Sequence, residues 1–183
     1  VFGEPAEWLA LLIESLLMEG TPGSVAAQEL RTRAFEAASV SVGSIDGKAF
    51  AWIADADMRI GPVCEAVING RYYWVPFERL TQVDIEEPAD LRDKVWMPAR
   101  FQFVNGGEAI GVIPTRYPGS ERSEDDQIRL ARKTVWTEAG EELFAGLGQR
   151  VLATDEGDHA LMDVRSIRIG VEDSDQPVEA TDA

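Results

Sequence analysis

Hydrophobic positions at helical spacing open the chain. Over 4–19, Trp8, Leu9, Leu12, Ile13, Leu16 and Leu17 fall on one broad face, and Leu11 and Met18 extend it around the side. Pro5 suits a first turn, Glu4 and Glu7 favour the positive end of the helix dipole, and Gly20 and Gly23 stop the helix. A surface helix needs an apolar stripe of about 100°. The wider face predicts cover on more than one side, by helices outside this chain or by a partner. A second helix is predicted over 24–38, with Ala27, Leu30, Ala34 and Ala38 at spacings of three and four. Joined through Gly20-Thr21-Pro22-Gly23, the two make an αα-hairpin, the unit of tetratricopeptide-like stacks. One such unit does not bury its own faces. The remnant of a longer helical stack is therefore expected.

From Val40 the pattern changes to short β runs broken by turn residues. The clearest is a hairpin: 63–68 and 71–77 are apolar runs separated by Asn69-Gly70, a dipeptide suited to the positive φ values of a type I′ turn. Tyr72, Tyr73, Trp74 and Phe77 make its second strand the most aromatic part of the chain. Further strands are predicted near 48–53, 82–86, 95–104, 108–114, 148–154, 159–162 and 166–169. Pro76 and Pro98 confine their strands to edges or bulges. Ser123 ahead of Glu124, Asp125 and Asp126 predicts one inserted helix of about ten residues, reaching Lys133. The expected fold is α+β: a helical hairpin over 1–39, then a β-rich, partly open barrel-like domain over 40–170. An acidic, disordered tail is expected over 171–183.

Charge narrows the choice of partner. Among 183 residues, 17 Lys and Arg stand against 33 Asp and Glu, a formal net charge of −16. Such a surface repels phosphate backbones and anionic lipid, which argues against nucleic acid and membrane as partners. No run of about 18 apolar residues and no basic leader segment is present, so a cytoplasmic protein is expected. The chain opens at Val1 without methionine, as expected of a piece of something longer.

Candidate chemistry is sparse. The single cysteine, Cys64, excludes an intrachain disulfide and fits a packed residue better than a reactive thiol. Asp55 and Asp57 are a tightly spaced acid pair with Glu65 nearby, but Asp-Ala-Asp-Met-Arg-Ile-Gly lacks the spacing of a calcium loop. They are expected to close a turn by accepting backbone amides, with Arg59 as ion-pair partner. The lone His159 has no companion for nucleophilic or metal chemistry. Arg116 and Tyr117, in Arg-Tyr-Pro-Gly, fit either a recognition surface or a structural turn. No cofactor, metal site or catalytic residue is expected.

Three segments carry a denser signal: IDGKAFAWIADADMRIGPVCEAVINGRYYWVPFERL, EEPADLRDKVWMPARFQFVNGGEAIGVIPTRYPGSE and LARKTVWTE. They resemble the ImpE family, also called TagJ, accessory proteins of bacterial type VI secretion systems. The resemblance runs from about Val1 to about Ile169, and departs at 39–44, at 141–143 and after Gly170. It implies a cytoplasmic, non-enzymatic protein that associates with the contractile sheath. Its implied partners are the N-terminal helix of the small sheath subunit, TssB, and the sheath-recycling ATPase ClpV. No family active site is implied.

Two modes of recognition follow. An adaptor that docks a partner helix in an apolar groove needs anchors at helical spacing, for which Trp8, Leu12 and Leu16 are the candidates. A β-domain module that reads an extended peptide needs an exposed aromatic surface, for which Trp52, Tyr72, Tyr73 and Trp74 are the candidates. A metal-dependent hydrolase built on Asp55 and Asp57 is a third, weaker class.

Overall fold

The structure, a computed structural model, describes residues 5–18, 25–140 and 143–170. Two helices, α1 (Glu7–Met18) and α2 (Val25–Ala37), precede β1 (Gly43–Ile45), β2 (Lys48–Phe50), β3 (Ile53–Asp55), β4 (Val63–Ile68), β5 (Arg71–Pro76), β6 (Leu80–Ile85), β7 (Trp96–Phe103) and β8 (Glu108–Pro114). A short helix, α3 (Asp126–Arg129), comes before β9 (Thr134–Gly140), β10 (Leu143–Gly148), β11 (Val151–Thr154), β12 (Gly157–Ala160) and β13 (Ser166–Ile169). The predicted helix ends at Glu4 and Gly20, the link through Pro22, the Ser24 start and the 171–183 tail lie outside the described residues.

Eight strands form one antiparallel sheet in the order β2-β1-β13-β6-β7-β8-β4-β5. The sheet is not closed: β2 and β5 are its edges. β12-β11-β3 and β10-β9 make two smaller sheets. Alternation along β7 shows how the core is filled, since Met97, Ala99, Phe101 and Phe103 point inward while Trp96 and Arg100 face solvent. Ile53, Leu152, Leu161 and Val164 from the other side of the chain close over the same core.

The β4–β5 hairpin is as the sequence predicts, with φ of 52° at Asn69 and 72° at Gly70, the left-handed pair of a type I′ turn. Elsewhere the structure departs from the pattern. The run near 48–53 is two strands, because Asp155 on the β11–β12 turn accepts the amides of Ala51 and Trp52 and bends the chain between them. The ribbon β9–β10 escapes periodicity because β9 contributes little to the core: Trp136, Thr137 and Glu138 are exposed. The inserted helix is far shorter than ten residues. Asp125, not Ser123, caps it by accepting the Gln127 amide at 2.8 Å, and a positive φ of 53° at Ala131 follows its end.

Pro76 ends edge strand β5, but Pro98 lies in β7, inside the sheet between β6 and β8. The exception has a geometric reason. The Pro98 carbonyl accepts from Glu86 at 3.0 Å on the side of β6, where that strand runs out at Ile85, so the missing N–H faces the end of a ladder rather than its middle.

The helices pack on each other and on the turn between β3 and β4. Trp8, Leu9, Leu12 and Ala34 form a second core with Ile60, Val63 and Tyr117, and the Trp8 indole donates to Glu78 at 3.1 Å. Burying each leucine there contributes roughly 1.5–3 kcal/mol. Leu12→Ala is therefore expected to cost about 2–5 kcal/mol in urea unfolding. Leu17→Ala, on a side chain 80% exposed, should stay within about 0.5 kcal/mol.

Candidate functional site

The candidate site grows from the β3–β4 turn. Backbone amides two residues on pin both aspartates: Asp55 accepts from the Asp57 amide at 2.9 Å, and Asp57 accepts from the Arg59 amide at 2.9 Å. The Arg59 side chain closes on Asp57 with contacts of 2.9 and 2.6 Å, and the Gly146 amide donates to the same carboxylate at 2.9 Å. Arg31 of α2 is buried beside them; desolvation lowers its pKa while the Asp57 charge opposes that shift. Asp57 thus serves as a structural anion, as the sequence pattern suggests.

Asp55 has a different partner. Arg150, 2% exposed, donates through Nη1 to Asp55 and through Nη2 to Glu65, while its Nε donates to the Pro114 carbonyl at 3.0 Å. Tyr117 lies under the guanidinium, 5.0 Å from ring centroid to Cζ. Its hydroxyl donates to Asp55 at 2.9 Å and accepts the Val151 amide at 3.0 Å. Burial pushes the Asp55 carboxyl up to about 6, against the pull of Arg150. Burial works the other way on Arg150, but Asp55 and Glu65 outweigh it and hold the guanidinium charged. The pair is ionised at neutral pH.

Glu65 links this centre to the surface. Its Oε1 accepts from the Tyr72 hydroxyl, which in turn accepts from the Trp74 indole. Burial first, and Glu65 second, raise the Tyr72 pKa, so the phenol stays protonated and donating. Glu65, Tyr72, Trp96, Pro114, Arg116, Tyr117, Glu121 and Arg150 are among the residues around a cavity of about 350 Å³.

The sequence candidates separate on the structure. Trp8 and Leu12 face inward, and Leu16 is half-buried; the outward apolar positions of α1 are Ile13, Leu17 and Met18. The reason is that the first helix covers the β3–β4 turn as well as α2, so its anchors are consumed within the chain. Trp52 and Tyr72 are exposed, whereas Tyr73 packs on the main core and Trp74 on the helical one. Trp52 belongs to another groove, of about 420 Å³, between the end of α2 and β3. The four rings are therefore not one patch. Tyr117 is a core residue rather than part of an exposed turn, and the Arg116 guanidinium donates to the Arg129 carbonyl. Arg150 and Trp96 carry no local signature that would have marked them. Only their neighbours across strands do.

Metal chemistry finds no support in this arrangement, since Asp55 and Asp57 are already engaged by guanidinium and amide donors. Among the described residues no cluster of three or more His, Cys, Asp and Glu could hold a metal ion. Burial pushes the Cys64 thiol up to about 12, and His159 lies 3.2 Å from the Thr154 hydroxyl on the β11–β12 hairpin.

The pattern of the ImpE protein family matches residues 47–168, which include most of the main core and the whole Arg150 centre. This chain is an ImpE family member. It is 44% identical over 167 residues to the type VI secretion system accessory component TagJ of Pseudomonas aeruginosa, an alignment spanning 91% of this chain and 58% of that protein. A crystal structure of a Vibrio parahaemolyticus protein superposes with a TM-score of 0.84 at 25% identity, covering 94% of this chain and 64% of the other. The chain thus spans about three fifths of the length of these two proteins. Among its described residues no helix is long and apolar enough to cross a membrane.

Removing the central cation of the ImpE fold should be severe. Arg150→Met leaves Asp55 and Glu65 buried without their counter-charge and is expected to cost about 3–5 kcal/mol by urea unfolding. A pH series probes the same centre. The Asp55 pKa is raised from 3.8 to about 6, so its contribution to stability is full below 3.8 and is lost as pH rises through about 6. The cost of Asp55→Asn should accordingly shrink between pH 4 and pH 7, and a pH-independent cost would contradict the shift.

Proposed function

We propose that the chain is part of a non-enzymatic, cytoplasmic accessory protein of a type VI secretion system. It acts as an adaptor that docks the N-terminal helix of the small sheath subunit TssB and ties sheath assembly to recycling by ClpV. The observation that carries this reading is the 44% identity to TagJ, named as an accessory component of that system. The outward face of α1 supports the docking mode: Ile13 is 41% and Leu17 80% exposed, one turn apart on one side of the helix. An amphipathic partner helix laid on that row gains apolar burial without disturbing Trp8 or Leu12. The tetratricopeptide-like ancestry of the hairpin belongs to the same proposal.

A second reading, in which the β-rich part recognises a peptide through aromatic rings, is favoured by Tyr72 and Trp96 standing exposed on one face of the large sheet.

Calorimetric titration of a peptide copying the TssB N-terminal helix tests the adaptor. The 183-residue chain is expected to bind, and the double substitution Ile13→Asp and Leu17→Asp should weaken binding about tenfold or more with the melting temperature unchanged. Binding that survives both substitutions removes α1 as the docking face. Absence of binding, also in a longer ImpE protein, removes the adaptor role.

A further inference from the structure

We propose that the cavity between Tyr72 and Trp96 is a receptor for a basic side chain, an arginine by preference, presented by a partner protein. Strand register assembles it. Pro98 pairs with Val112, Val112 with Val67, and Val67 with Tyr72; one step along the sheet, Trp96 pairs with Pro114 and Glu65 with Trp74. Alternation places these side chains on the outer face. Trp96 is 42% and Tyr72 56% exposed there, on opposite sides of a floor made by Pro114, Glu65 and Arg150. The walls are set before any ligand arrives, because the Tyr72 phenol is held between Glu65 and the Trp74 indole.

Charge decides what fits. Arg150 is shared by two buried carboxylates, Glu65 in the floor and Asp55 behind it, so this cluster carries one excess negative charge rather than a free cation. Arg116, which also lines the cavity, donates to the Arg129 carbonyl, and Glu121 lines it too, held by an exposed ion pair with Arg122 at 3.2 Å that a ligand can exchange. An anionic ligand would meet this excess, and the chain as a whole carries −16. A guanidinium gains the exposed rings of Trp96 and Tyr72 together with the Glu121 carboxylate, and its planar shape stacks better than an ammonium. The pocket lies in the β-rich part, so the inference extends the peptide-recognition reading and is independent of helix docking on α1.

The test uses N-acetyl-arginine amide as probe and the neutral, isosteric N-acetyl-citrulline amide as control. Both are titrated to about 50 mM into the 183-residue chain, a range chosen because a single side-chain contact is a millimolar event. The readout is the indole N–H resonance of Trp96 in ¹H–¹⁵N spectra. The arginine probe should shift it in a saturable way, citrulline should bind at least about fivefold more weakly, and Glu121→Gln should weaken the arginine probe by about twofold to fivefold. Trp96→Ala, at an exposed position, should abolish the saturable response of the Trp74 indole while leaving the melting temperature in place. Three results would each overturn the proposal: no saturable shift, equal binding of citrulline, or arginine binding untouched by Trp96→Ala. None of them bears on the TssB peptide, whose failure to bind would count against the adaptor reading and not against this pocket.

Discussion

One guanidinium holds the β-rich part together. Arg150 sits where β10 ends and β11 begins, and it reaches Asp55 on β3, Glu65 on β4 and the carbonyl of Pro114 at the end of β8. Burying a charge without compensation costs several kcal/mol, so strands that supply two carboxylates, a carbonyl and the Tyr117 ring are constrained to meet at one point. A hydrophobic contact tolerates sliding by an ångström or two. A bidentate charge pair in a dry interior does not, and that fixes the small β12-β11-β3 sheet relative to the large one.

Tyr117 joins this centre to the helices. Its hydroxyl belongs to the polar cluster, through Asp55 and the Val151 amide, while its ring belongs to the apolar cluster of Trp8, Leu12 and Val63. The ring also explains Gly146, where any Cβ would drive into it. Helical hairpin and β-rich part therefore share a residue rather than merely touching. The same geometry leaves two surfaces outward, the Ile13–Leu17 row on α1 and the Tyr72–Trp96 face of the sheet. The two surfaces lie on separate elements.

Local chemistry was legible wherever a short stretch decides the outcome. Asn69-Gly70 prescribed its turn, the three-and-four spacing prescribed two helices, and Asp57 with Arg59 prescribed a closed loop. Reading failed where a local preference was overruled from a distance. Ala51 and Trp52 bend because Asp155 takes their amides. Pro98 sits inside the sheet because β6 ends opposite it, and β9 leaves burial to β10, its own residues 136–139 being exposed. The candidate site was half visible: Asp55, Tyr72 and Tyr117 stood out as residues, without any indication of what they face.

By itself the sequence determined the two helices, the register of the β4–β5 hairpin, the strongly acidic composition and the ImpE resemblance, because each depends on neighbours in the chain or on composition. Only the tertiary structure decided that Arg150 answers carboxylates 95 and 85 residues away, that Trp8 and Leu12 are spent inside the molecule, and that Trp96 stands across the sheet from Tyr72. Those outcomes depend on strand order. Strand order follows from burying one face of eight strands at once, a constraint that no local window of residues contains.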